Sequence, residues 1–299
     1  MIPGSPPPDV EIAELPSAAL SGETEHPAGR RRPETVLITG ASSGIGWQLA
    51  RLFAADGADL VLLARNADRL GELGAELAGT YGVRTHVVRA DLGRPASPAA
   101  IAAALAQHNI EVDVLVNNAG SGTLGRVAGL GVERQLEIIE VNVAALTGLT
   151  ALLLPGMLER GRGAVLNVAS TAAFQAGPNQ AVYFATKAYV LSFTEALAQE
   201  VRGSGVRVCC LAPGPTDTGF AARAGMAHTR LFRRGVMDAS RVARAGHRGL
   251  RRGKTLVVPG LRNRILVFSV RLSPRVLATR ISGYLQQDPS DRISSASAG

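Results

Sequence analysis

Short runs rich in β-branched and aliphatic residues alternate with longer Ala- and Leu-rich segments along most of the chain. The short runs, at residues 35–39, 59–64, 83–90, 112–117, 164–170 and 206–212, predict strands, and 255–258 predicts a seventh. The longer segments, at 45–55, 67–80, 98–108, 133–159 and 182–201, predict helices. Strands alternating with helices predict a doubly wound α/β fold, a parallel sheet covered on both faces, filling residues 34–260 as one domain. The runs 112–116 and 206–210 are apolar at most positions, as strands buried on both faces should be.

Outside that domain the pattern changes. Residues 1–33 are rich in Pro, Ser and Gly, end in Arg30, Arg31 and Arg32, and predict a disordered arm. Residues 288–299 predict a frayed tail. Between the domain and the tail, residues 261–287 predict a basic amphipathic helical extension, broken in two at Pro274. Its apolar positions are Leu261, Ile265, Phe268 and Leu272, then Val276, Leu277, Ile281 and Leu285. Arg262, Arg264, Arg271, Arg275 and Arg280 are interspersed. Such a helix can lie on a membrane surface, or dock on its own domain or a second subunit; docking is the preferred expectation.

The 299 residues are 46% hydrophobic, enough to bury a substantial core, but only 4% aromatic. Cys209 and Cys210 are neighbours on a predicted strand and should point to opposite faces, which disfavours a disulfide and fits a reducing cytoplasm. Residues 1–33 lack the apolar stretch of a secretory signal, and no uncharged run of about 18 apolar residues suggests a membrane-crossing helix. The expected location is cytoplasmic, with peripheral membrane association as the alternative. The net charge of +8 is uneven: fourteen basic residues and one acid, Asp238, lie between Arg230 and Gln287. Compositional bias toward arginine with a solvated face is one reading. The other is an anionic partner, whether a phosphorylated acyl carrier, an acidic carrier protein or a membrane. Nucleic acid is not expected, because stacking aromatics are not interleaved.

The chemistry concentrates in a few short motifs. Thr39, Gly40, Ala41, Ser42, Ser43, Gly44, Ile45 and Gly46 follow the first strand and open the first helix, the context in which a glycine-rich turn cradles a dinucleotide pyrophosphate. Gly40 permits the turn, Gly44 the close approach of phosphate, and Gly46 close helix–strand packing. At the end of the second strand stands Arg65, where an NAD site would carry an acid; a guanidinium there can pair with a 2′-phosphate, so NADP(H) is the favoured cofactor. Asp91 and Leu92 can meet the adenine, although Asp91 suits a helix cap equally well. Asn117, Asn118, Ala119 and Gly120 close the fourth strand; Asn117 can pin neighbouring strands. Tyr183 and Lys187 share a helix face, and a nearby ammonium should lower the phenol's pKa so that it can exchange a proton with a ketone or alcohol oxygen. Ser170, at a strand end, can orient the same oxygen. Asn142 can hold a water that relays protons to Lys187. No metal site is expected.

Taken together, these motifs, with Pro213, Gly214, Pro215, Thr216, Asp217 and Thr218, resemble the short-chain dehydrogenase/reductase family over roughly residues 34–260. The resemblance implies a Rossmann fold, a catalytic tetrad of Asn142, Ser170, Tyr183 and Lys187, and cofactor contacts at Gly40, Ser42, Ser43, Gly44, Ile45, Gly46, Arg65, Asp91, Leu92, Asn118, Ala119, Gly120, Tyr183, Lys187, Pro213, Gly214, Thr216 and Thr218. It implies a small carbonyl or alcohol substrate and a homodimer or homotetramer. Residues 219–254 are expected to form a substrate lid, with Phe220, Met226, Phe232 and Met237 apolar and Phe174 and Pro178 adding to the pocket. The expected activity is NADP(H)-dependent interconversion of a ketone and a secondary alcohol. Alternatives are reduction of a 3-oxoacyl thioester and, from another class, a non-catalytic NADP-sensing or scaffold protein.

Overall fold

The computed structural model describes residues 10–15, 32–233 and 235–287. In chain order the elements begin with β1 (Glu11–Leu15), β2 (Thr35–Thr39), α1 (Gly44–Ala55), β3 (Asp59–Ala64), α2 (Ala67–Tyr81), β4 (Thr85–Arg89), α3 (Ser97–Gln107) and β5 (Val114–Asn117). Then come α4 (Val132–Ile139), a π-helical turn (Glu140–Ala144), α5 (Ala145–Glu159), β6 (Gly163–Val168), α6 (Ala181–Glu200), β7 (Val206–Leu211) and β8 (Thr216–Asp217). The remainder is α7 (Phe220–Arg223), α8 (Arg230–Arg233), β9 (Met237–Asp238), α9 (Ala239–Arg251), β10 (Leu256–Val257), α10 (Leu261–Leu272) and α11 (Arg275–Leu285).

Eight strands form one sheet in the order β1-β4-β3-β2-β5-β6-β7-β10, parallel except for β1; β8 and β9 pair separately. The strand period of two sorts the core. Val36, Ile38, Leu60, Leu62, Val114 and Val116 face one layer, with α1, α2 and α9 over them. Leu37, Val61, Leu63 and Leu115 face the other, with α3, α5 and α6. Cys209 and Cys210 point into different clusters, and both are free and buried. This is the doubly wound α/β architecture expected from the alternation of elements.

Four expectations change. Residues 11–15 of the expected disordered arm form β1, antiparallel to β4 and pairing Glu11 with Arg89 and Leu15 with Thr85. The rest of the arm before residue 32, and the expected tail at 288–299, lie outside the described residues. The expected lid is shorter than 219–254: α9 belongs to the main layer, burying Val242, Ala243 and Leu250 against the sheet. The unbroken helical stretch Val132–Glu159 is, by length and composition, apolar enough to cross a membrane, with a mean hydropathy of 1.7. A third of its apolar stretch is buried, with Ala145, Leu149 and Met157 in the core against the sheet, while Val132, Leu136, Ile139, Leu152 and Leu158 are exposed. Finally, the 261–287 extension meets its own domain only narrowly: Val267 is the buried residue of α10, and Ala278 and Ser282 are those of α11.

At the lower end of the sheet, Asp113 ties three strands together. Its carboxylate accepts from Arg32 Nη1 at 2.8 Å, Arg32 Nη2 at 3.0 Å and the Thr35 amide at 3.0 Å. Its backbone bonds Thr35 and Ala164. Asp113 is 4% exposed, so removing it strands the buried Thr35 amide, whereas Arg32, a third exposed, keeps Glu111 at 3.1 Å. Asp113→Ala should lower unfolding free energy by roughly 1–3 kcal/mol, read as a lower urea midpoint, because a buried donor is left without its acceptor.

Candidate functional site

The carboxyl ends of β2, β3, β5, β6 and β7 open onto one cavity of about 890 Å³. Most of the expected residues line it: Gly40, Ser42, Ser43, Ile45, Arg65, Asp91, Leu92, Asn118, Ala119, Gly120, Ser170, Tyr183, Lys187, Pro213, Gly214, Thr216 and Thr218. Gly44, Gly46 and Asn142 stand behind the wall rather than in it.

The glycine turn shows why. Gly44 has φ +57°, and a Cβ there would lie 2.6 Å from Thr218 Cβ. A Cβ on Gly46 would lie 2.5 Å from the Gly40 carbonyl oxygen and 2.4 Å from Asn118 Nδ2. These close approaches set the turn against Thr218, just after β8, and against the loop after β5. The Thr39 hydroxyl accepts from the Asn118 amide at 3.0 Å and the Ala119 amide at 2.9 Å, and Asn118 Nδ2 donates to the Thr39 carbonyl at 2.8 Å. The N-terminus of α1 carries no side-chain cap and no acid in its first turn. Its N–H groups and positive dipole end are therefore left for an anion. The backbone cradle fits a dinucleotide pyrophosphate.

Arg65 lies further along the same cavity, with its side chain 69% exposed and Glu137 at 4.0 Å. Arg69, which the sequence reading missed, also lines the wall and lies over the Trp47 ring. It is the third residue of α2, in the first turn after the Asn66 cap, and no motif marks it. Asp91 spends one oxygen on its own loop, accepting from the Gly93 amide at 3.0 Å, and does not cap α3.

At the other end, Ser170 follows β6, and its oxygen accepts from the Ala172 amide at 3.1 Å, leaving the hydroxyl proton to donate. Tyr183 packs near Phe220, with ring centres 5.6 Å apart. A Cβ on Gly122 would meet Phe220 at 2.8 Å and Tyr183 at 3.2 Å, so that glycine admits both rings. Lys187 is 5% exposed, donates to the Val168 carbonyl at 2.9 Å and sits 5.8 Å from the Tyr183 ring centre. Burial lowers its pKa to about 8. Burial also pushes the Tyr183 phenol up to about 12, against the smaller opposite pull of Ser170. The expected depression of Tyr183 by Lys187 is thus reversed: desolvation is the larger effect, and the ammonium is turned to the Val168 carbonyl.

Asn142 sits in the π-helical turn between α4 and α5, a local widening common at functional sites. Its Oδ1 accepts from the Ser121 amide at 2.8 Å; its Nδ2 donates to the Ser121 carbonyl at 2.9 Å and to Thr186 Oγ1 at 3.0 Å. Both donors are spent on protein, so what the contacts show is a brace for the Gly120–Ser121 wall. A Cβ on Gly120 would lie 3.5 Å from Asn142 Oδ1 and 3.6 Å from Lys187 Nζ.

Phe220, Met226, Phe232 and Met237 line the cavity as expected of the lid; Phe174 and Pro178 do not. Phe174 packs into the cluster around Cys210, and Pro178 against Gly283. The extension supplies wall residues that the sequence did not single out, notably Leu266, Ser282 and Gln286. Ser282 Oγ and Gln286 Oε1 are buried without a hydrogen-bond partner. No motif marks them; only the helix's position over the cavity does.

Comparison with known proteins agrees with this geometry. The family profile described as short chain dehydrogenase matches residues 34–228. A mouse protein, dehydrogenase/reductase SDR family member 7B, is 36% identical over 196 residues, 64% of this chain and 61% of its own length. The chain thus spans about three fifths of that relative. A short-chain dehydrogenase from Sphingobium yanoikuyae, solved with NADPH, superposes with a TM-score of 0.72 and 36% identity, covering 80% of this chain and 94% of that one. A 7β-hydroxysteroid dehydrogenase superposes with a TM-score of 0.76 and 26% identity, covering 83% and 96%. With the glycine cradle, the Ser170, Tyr183 and Lys187 cluster and the profile match on one domain, the chain belongs to the short-chain dehydrogenase family.

Proposed function

We propose that the protein is an NADPH-dependent oxidoreductase that reduces a ketone to a secondary alcohol. The observation carrying this reading is that one cavity joins the glycine cradle and two arginines to Ser170, Tyr183 and Lys187. When bound, a nicotinamide cofactor supplies the hydride. Gly40, Ser42, Ser43 and Ile45 would hold its pyrophosphate end, Arg65 and Arg69 its 2′-phosphate, and Pro213, Gly214, Thr216 and Thr218 its nicotinamide end.

The Ser170 hydroxyl orients the carbonyl oxygen, and Tyr183 gives that oxygen its proton as hydride reaches the carbon. A phenol titrating near 12 is fully protonated at neutral pH, which suits reduction. The reverse reaction needs the phenolate and should gain with rising pH. Lys187, a cation beside the phenol, favours the phenolate that proton donation leaves behind. Asn142 fixes the wall on which both depend. The wall beyond Tyr183 is apolar, with Phe184, Phe220, Met226, Leu231 and Phe232, and the unpartnered Ser282 and Gln286 add polar atoms. An apolar ketone bearing a second polar group fits that wall, in keeping with the likeness to a hydroxysteroid dehydrogenase. A purely sensory role has no use for a buried Tyr–Lys pair; consumption of NADPH across a ketone panel decides between the two.

Tyr183→Phe keeps the ring and removes the proton. It should lower kcat about 10²–10⁴-fold while NADPH binding, followed by fluorescence titration, is nearly unchanged. Retained turnover would remove Tyr183 from the reaction.

Arg65→Asp combined with Arg69→Ser should lower kcat/KM for NADPH relative to NADH by about 10–100-fold, the worth of one or two charge-assisted hydrogen bonds. Equal use of both cofactors by the unaltered protein would refute the assignment.

Lys187 predicts a stability effect of definite sign. Its ordinary pKa of 10.5 falls to about 8 on folding, so between these values the unfolded chain binds a proton that the folded chain has lost. Stability then rises with pH across that window, by at most about 3 kcal/mol. Lys187→Met should lack this rise. Melting curves of the two proteins from pH 8 to 10.5 should therefore diverge in favour of the unaltered chain.

A further inference from the structure

Helices α10 and α11 turn an apolar face away from the domain. Nine of the eighteen exposed large apolar side chains among the described residues lie on these two helices. On α10, Leu261, Ile265, Phe268 and Leu272 recur at i, i+4, i+7 and i+11, which aligns them in one stripe. They are 61–74% exposed, while Val267 is buried on another face. On α11, Leu277 and Ile281 are exposed at i and i+4, about a quarter-turn round the helix from the line of the buried Ala278 and Ser282; Tyr284, at i+7, lies in line with them under the Arg230 guanidinium, which is 4.4 Å from its ring centre. Single exposed apolar residues need no explanation, but two ordered stripes do.

The charges beside the stripes say what covers them. Arg262 flanks the α10 stripe on one side and Arg264 and Arg271 on the other; Arg280 sits among the exposed positions of α11, and Arg275 opens that helix. Between Leu261 and Gln287 there are five arginines and no acid. A second copy meeting this face about a two-fold axis would set arginines against arginines with no carboxylate between them. An anionic bilayer offers what both features require: acyl chains for the stripes and phosphates for the guanidinium groups.

We propose that α10 and α11 form a docking surface for an anionic membrane. The docked helices would also present the cavity wall formed by Leu261, Leu266 and Leu285 to the bilayer, which suits a lipid-soluble carbonyl substrate. That last clause rests on the reductase reading; the docking does not, and it is measured without turnover.

The test is sedimentation of the full chain with vesicles of phosphatidylcholine, with and without phosphatidylglycerol. Binding should appear on the anionic vesicles, weaken as salt rises, and be slight on the neutral ones. Arg271→Ala and Arg275→Ala should each weaken it about five-fold, the equivalent of about 1 kcal/mol per basic residue near a charged surface. Phe268→Asp with Ile265→Asp should abolish binding. These side chains lie outside the cavity wall, so NADPH affinity and circular dichroism should stay unchanged, separating lost docking from lost fold. Failure of the unaltered chain to bind anionic vesicles at low salt would overturn the proposal. So would equal binding to neutral vesicles, or an oligomer that dissociates on Phe268→Asp, which would assign the face to a second copy. Capture of vesicles by a protein that reduces no ketone would uphold docking while removing the reductase reading.

Discussion

The site depends on one place where no side chain fits. At Gly46 the first turn of α1 lies so close to the Gly40 carbonyl and the Asn118 amide that even a methyl group would collide with both. That absence lets a helix N-terminus, the end of β2 and the loop after β5 share one small volume. Hydrogen bonds from Asn118 to the Thr39 and Gly40 carbonyls then close it. Anion-binding N–H groups are common at helix starts. Here they are brought against the opening of a second loop, and so form the floor of a long cavity rather than an isolated notch.

The far end of that cavity is held by a different device. Asn117 Nδ2 donates to Thr150 Oγ1 at 3.0 Å and to Asn167 Oδ1 at 2.9 Å, and Asn167 Nδ2 donates to Thr194 Oγ1 at 3.0 Å. This chain of buried amides and hydroxyls runs from α5 through β5 and β6 to α6. Each threonine returns its own proton to a carbonyl one turn back, Leu146 and Val190 respectively. The network therefore leaves little polar capacity unspent, the condition under which buried polar groups specify a structure rather than weaken it. It ties the helix bearing Tyr183 and Lys187 to the strand that ends near Ser170.

Much of this was legible because it is local. The strand runs with period two placed Val36, Leu37 and Ile38 on alternating faces, and the same rule separated Cys209 from Cys210. The glycine turn and the Tyr183–Lys187 spacing are short-range features whose chemistry follows from residue type. What was not legible depends on distant partners. Residues 11–15 sit in a Pro-, Ser- and Gly-rich arm, and only the edge of β4 makes them a strand. The family resemblance placed a lid over residues 219–254, but α9 lies on the sheet, with its Arg251 engaged with Glu34 and Asp56. Tyr183 was expected to be acidified by its neighbour. Proximity alone did not say that the ammonium would bond the Val168 carbonyl, or how dry the pocket would be. Ser282 and Gln286 carry no motif and reach the cavity only because α11 folds back over it.

The strand β1 has a consequence for how molecules of this protein meet one another. Without it, β4 would present an open row of amides and carbonyls to solvent, the template on which foreign strands add. With β1 in place the flank of the sheet passes to a short antiparallel strand bearing Glu11 and Glu14, both exposed. At the opposite flank β10 pairs over only two residues, Leu256 and Val257. Neither border offers a long, uncharged ladder. A parallel sheet assembled from distant segments is slow to complete and vulnerable while it is incomplete; here an early stretch of the chain guards one border against fibrillar growth.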